Sequence, residues 1–165
     1  MEVQCYVTGE FGDSSVFYQV GSRWFKSEEV YKYWKHENNL REQCYEAVAD
    51  VIGISNSYYL PTVVYDEMNF AKSYGYEIVR GTIRQYAPNI KRHFKEHPPK
   101  SDYAASKYAF AVFKAHYGDV QKRIMRQNWI SQENERRHPN TEKSTGEEKL
   151  QSDFIQRHDI SEFLA

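Results

Sequence analysis

The sequence predicts an α+β fold that is predominantly α-helical, with a short N-terminal β-hairpin or meander followed by a helical bundle. Three observations carry this expectation. Strand-forming residues with tight-turn signals are confined to the first 26 residues. From residue 27 onward, apolar residues recur at three- and four-residue spacing, the period of helices with one buried face. The chain has 165 residues with 14 Tyr, 9 Phe and 3 Trp, and large rings let one domain of this length fill a core.

The elements follow in order. Residues 3–8 alternate apolar and polar, 16–20 are rich in β formers, and 23–26 follow the two-residue turn signal Gly21-Ser22. Residues 9–15, with two glycines and an aspartate, read as a loop. Ser27 is the N-cap expected for a helix over 28–36, with Glu28 and Glu29 complementing its dipole. Asn38-Asn39 is expected to break it. A second helix over 40–52 places Leu40, Cys44, Val48, Val51 and Ile52 on one face, and Gly53 ends it.

Pro61 suits the first turn of a helix reaching about residue 72, with Val64, Met68 and Ala71 inward. Ser73-Tyr74-Gly75 interrupts it, and a further helix starts at Tyr76 with Val79, Ile83, Tyr86 and Ile90 on one face. Helix, short glycine-containing turn and second helix together resemble a helix-turn-helix unit. Pro88 either kinks the second helix or opens a new one. Beyond His97-Pro98-Pro99, Ser101 or Asp102 caps a central helix to about 117, apolar nearly all round through Tyr103, Ala104, Phe110, Val112 and Phe113. Gly118-Asp119 leads into a last helix over 120–130. The expected organisation is thus one domain over 1–130, with β structure over 1–26 and helices over 27–130. A polar stretch over 131–151 reads as a flexible linker, and 152–165, where Phe154, Ile155, Ile160, Phe163 and Leu164 return, as a segment that takes a protein partner.

Charge is segregated along this chain. Residues 1–79 hold 6 Lys/Arg against 12 Asp/Glu, 80–137 hold 13 against 5, and 138–165 hold 3 against 6, although the whole chain is −1. Clustered charge steers encounters, so the middle segment points to a polyanion: DNA, RNA or a nucleoprotein complex. Arg80, Arg84, Lys91 and Lys95 are spaced 4, 7 and 4 and share one helical face if the helix persists through Pro88, with Arg92 beside them. Lys107 and Lys114 form a second pair, and Lys122, Arg123 and Arg126 continue the series. Such groups neutralise phosphates, and Tyr76 and Tyr86 are rings on which bases could stack. A solvated helix surface or an acidic protein partner would account for the same stripes. The acidic first half also fits a protein-binding adaptor or a nucleic-acid mimic.

Catalytic chemistry finds little support. Cys44 lies on an apolar face, where a free cysteine acts as a small hydrophobe. A triad would need His36 or His93 to reach it through folding. No phosphate loop, G-x-S-x-G elbow or HExxH motif occurs. A small hydrolase is the most distant reading, and no catalytic residue and no cofactor are assigned. Cys5 and Cys44 form no disulfide framework or C-x-x-C pair. His93 and His97 at i, i+4 could clamp a metal on a helix, as could Cys5, His36 and Cys44 together. No third ligand with recognisable spacing accompanies the His pair, and a solvated helix end is the expectation. Residues 1–7 read as strand rather than signal peptide, and no apolar run approaches the ~20 residues that span a bilayer. A cytoplasmic protein without a membrane partner is expected.

Two stretches carry a resemblance. Cys5 with the run Phe17-Tyr18-Gln19-Val20-Gly21-Ser22-Arg23-Trp24-Phe25-Lys26-Ser27-Glu28-Glu29, and the later Tyr59-Leu60-Pro61-Thr62-Val63-Val64-Tyr65, resemble small uncharacterised proteins of Gram-positive phages and mobile elements. Some of these are similar to zinc ribbons at the N-terminus. This chain lacks the paired cysteines, so metal binding does not carry over. The resemblance implies a bacterial host cell and a context in which such proteins regulate phage genes or inhibit host defence complexes, anti-CRISPR proteins included. With no catalytic motif in the chain, the expectation is a non-enzymatic binding protein, either a DNA-binding regulator or an inhibitor of the anti-CRISPR type.

Overall fold

The computed structural model describes residues 1–139. Four short strands come first: β1 (Glu2–Gln4), β2 (Phe11–Asp13), β3 (Tyr18–Val20) and β4 (Arg23–Phe25). They form two antiparallel hairpins, Val3 opposite Gly12 in one and Gln19 opposite Trp24 in the other. A bridge between Cys5 and Trp24 ties the hairpins together. The expected loop over 9–15 therefore contains β2. Its signal was hidden because Gly12 is a poor strand former, yet it sits under the Phe17 ring, where a Cβ would come within 2.3 Å.

The helices are α1 (Glu28–Ile52), α2 (Thr62–Ala71), α3 (Tyr76–Glu96) and α4 (Asp102–Arg137), with 3₁₀ turns at Ser57–Tyr59 and Lys72–Tyr74. Ser27 caps α1 by accepting from the Val30 N–H at 3.3 Å. Gly53 closes α1 at φ 86°, a left-handed conformation that favours glycine, and donates to the Ala49 and Asp50 carbonyls. The expected break at Asn38-Asn39 does not occur. Each Asn costs a helix at most about 0.7 kcal/mol, and both ends of α1 are anchored. Tyr31 and Trp34 pack on Phe25 of the β element, while Leu40, Cys44 and Val48 are buried in the bundle.

Gly118-Asp119 is likewise no break, because Phe113, Tyr117 and Val120 on either side are buried on one face of a single α4. Tyr103, expected in the core, is 59% exposed. The helix also continues through 131–137, where the sequence predicts linker; helix-forming Gln, Glu and Arg carry it, with an i,i+4 pair between Glu133 and Arg137 at 3.2 Å. The rest of the predicted linker and the 152–165 segment lie outside the described residues.

Met1–Ile124 is one compact unit, and the end of α4 from Met125 belongs to a second. Within the first, the register of the contacts gives the helix directions. Gln43 meets Arg80 and Asp50 meets Lys91, so α1 and α3 run the same way. His93 stacks on Tyr108 and Tyr86 on His116, so α4 runs opposite to α3. Glu67 and Tyr74 of the α2 arm meet Lys107 and Tyr117, so α2 follows α4. The result is an up-down-up-down bundle in which α1 touches α2 and α3, and α4 touches the same two. Its core gathers Val48, Val64, Met68, Val79, Ile83, Phe110, Phe113 and Tyr117.

Candidate nucleic-acid interface

The helix α3 is unbroken at Pro88. The proline is exposed, so the Arg84 carbonyl it leaves without a donor can take water. With 100° per residue, Arg80, Arg84, Lys91 and Lys95 then fall within a sector of about 60°. The predicted stripe is therefore a real face of α3, on its α1 side. Its members differ in how free they are.

Arg80 is half-buried and donates to Gln43 Oε1 at 2.6 Å. Lys91 pairs with Asp50 at 2.6 Å in an exposed bridge. Arg92 is exposed and reaches only Asn89, one turn away, at 3.3 Å. Arg84 and Lys95 are exposed and make no ion pair among the described residues. Neither expected stacking ring is free. Tyr86 lies on His116 with centroids 4.0 Å apart, and Tyr76 is half-buried against the core.

The remaining cations are elsewhere. Lys107 and Lys114 both turn to Glu67 of α2, at 3.2 and 2.5 Å, on the side of the bundle opposite the α3 stripe. Glu67 is the one carboxylate among the buried residues of the described chain. Burial alone would raise its pKa, but Lys114 and Lys107 overcome that and hold it below the ordinary glutamate range. Arg123 donates to Gln85 Oε1 of α3 at 2.6 Å. Lys122 is exposed on α4, and Arg126 is exposed in the second unit. Of the ten candidates, Arg84, Lys91, Arg92 and Lys95 therefore cluster on the exposed part of α3, and the others lie apart from them or are engaged within the bundle. Spacing could not reveal this, because the partners that engage these cations, Gln43 by a hydrogen bond and Asp50 and Glu67 by charge, come from residues 37 to 47 positions away.

The cysteine-centred groups weighed for other chemistry do not converge. Cys44 is fully buried, its thiol donates to the Tyr76 carbonyl at 3.4 Å, and burial pushes its pKa up to about 12. It is not a thiolate at neutral pH. Cys5 is in the β element, accepting from the Lys26 N–H at 3.3 Å, and His36 is exposed on α1. Among the described residues, no three His, Cys, Asp or Glu side chains come together as metal ligands. No described helix is long and apolar enough to cross a membrane. The helix-turn-helix pattern is present as α2, a 3₁₀ turn, Gly75 at φ 92° and α3. Ile78, Val79, Thr82 and Ile83 put one face of the first turns of α3 in the core, while Glu77 on the same turns is exposed. Among known proteins, no family model, curated protein or solved structure matches the chain.

Proposed function

We propose that the protein is a non-enzymatic binder of nucleic acid or of a nucleoprotein complex, engaging phosphates with the outer face of α3. The observation that carries this reading is the grouping of Arg84, Lys91, Arg92 and Lys95 on the exposed side of one uninterrupted helix. Eleven residues of helix rise about 16 Å, a length that reaches several successive phosphates. Glu96 is the one acid on α3 beyond Glu77. The bridge that occupies Lys91 is between exposed groups, worth about 0–1 kcal/mol, and yields readily to a phosphate. A DNA-binding regulator or an inhibitor of a host nucleoprotein of the anti-CRISPR type would both use such a face. Contacts of this kind position a ligand by its backbone and read no bases.

The test is the double substitution Arg84→Glu/Lys95→Glu, measured against labelled duplex and single-stranded 20-mers of DNA and RNA in about 50 mM salt. Both side chains are exposed and unpaired among the described residues, so the helical circular-dichroism spectrum and the melting temperature should hold. Affinity should fall at least about tenfold, since two attractions become repulsions. A double variant that binds as well as the parent would refute the assignment.

A further inference from the structure

His93 and His97 lie one turn apart at the C-terminal end of α3, and the fold brings their rings together. The ring centroids are 5.0 Å apart and the planes are inclined by 44°. Both residues are held in place. His93 stacks on Tyr108 of α4, with centroids 4.4 Å apart and planes 5° from parallel. The His97 N–H donates to the His93 carbonyl at 2.8 Å and closes the last turn. The ring of Pro98 then forces His97 out of helical geometry, to φ −132° and ψ 80°, so α3 stops directly after the pair is complete.

The separation is the one two imidazoles take when they share a metal ion. Metal–nitrogen bonds of about 2.0–2.1 Å put the ion about 3.2 Å from each ring centroid, and an angle of about 90–110° between the bonds then sets the centroids about 4.5–5.2 Å apart. The inclination of the planes is no obstacle, because each ring turns about its own metal–nitrogen bond. Aromatic packing accounts for His93, which has Phe94 and Tyr108 beside it. It does not account for His97, which is exposed and whose one ring neighbour among the described residues is His93.

We infer that His93 and His97 form a two-histidine site for a borderline divalent transition-metal ion, zinc(II) being suited to neutral imidazoles completed by water. Among the described residues no third His, Cys, Asp or Glu joins the pair, so water fills the other positions. The surroundings admit a cation despite the basic stripe. Carbonyls of the last turn present the negative end of the helix dipole. Lys95, two residues from each histidine, points about 160° away round the helix. Competing thiols are withdrawn, since Cys5 and Cys44 are buried. Bound there, the ion clips the turn from which the chain passes to α4. The pair faces α4 while the stripe lies on the α1 side, so the site does not depend on the phosphate reading.

The experiment titrates zinc(II) into untagged, metal-free full-length protein by calorimetry and follows the imidazole nitrogens by NMR. One equivalent should bind, the signals of two histidines should move, and the melting temperature should rise with zinc. His97→Ala removes an exposed side chain, so its circular-dichroism spectrum should match the parent. It should weaken zinc at least about tenfold, the lower end of what losing even a supporting partner of a ligand costs, and abolish the rise in melting temperature. His36→Ala, an exposed histidine of α1, should change nothing. The inference is overturned if zinc does not bind the parent, or if His97→Ala binds it as tightly. Undiminished binding by His93→Gln overturns it equally.

Discussion

Glu67 shows how one side chain can redirect a charge pattern. Its carboxylate draws Lys107 and Lys114 together on the α2 side of α4, where one negative charge offsets one of the two positive ones. Its folded-state pKa is depressed, so its contribution to stability is present above the ordinary glutamate range and is lost as pH falls through the folded value. Glu67→Gln should therefore cost about 1–2 kcal/mol in urea unfolding at pH 7, discounted because both lysine heads reach water. At pH 3 the parent and the variant should converge. A difference that persists unchanged in acid would show that Glu67 acts by packing rather than by charge. Tyr117 lies nearby with its hydroxyl buried and unpartnered among the described residues, and burial raises its pKa. The sequence marked it only as the end of a helix.

Glycine and asparagine were the least trustworthy punctuation in the chain. Gly53 and Gly75 end or begin helices because their backbones take φ of 86° and 92°, and the sequence reads Gly53 correctly as a C-terminal stop. Gly118 looks the same in one dimension but sits inside α4, carried by the buried Phe113, Tyr117 and Val120 around it. No atom lies within 4 Å of where its Cβ would stand. Gly118→Ala should accordingly stabilise the protein by about 0.5–1 kcal/mol, read as a raised urea midpoint with unchanged slope. Destabilisation would mean that α4 is not continuous there. Ser27, Gly53, and the inward positions of α2 and α3 were legible because caps and 3.6-residue periods are local. The continuity of α1 and α4 was not, because it is decided by tertiary anchoring at their ends. The second strand, short and built around Gly12, carried too little propensity to be seen.

For the molecule as a whole, the segment charges of the sequence were right in sum and misleading in place. Folding sends Lys107 and Lys114 to one side of the bundle and the α3 stripe to the other, and it spends Arg80 and Arg123 on Gln43 and Gln85. What is left for a polyanion is a compact cluster on the exposed part of α3. A face of that size makes a quantitative demand. Arg84, Arg92 and Lys95, with Lys91 once Asp50 releases it, can neutralise three or four phosphates. The most direct measurement is a salt titration of duplex binding between 50 and 200 mM, plotted as log K against log salt concentration. The predicted slope is about −3 to −4, shrinking by about two in Arg84→Glu/Lys95→Glu. A slope near zero, or one that the double substitution leaves unaltered, would contradict phosphate recognition by α3.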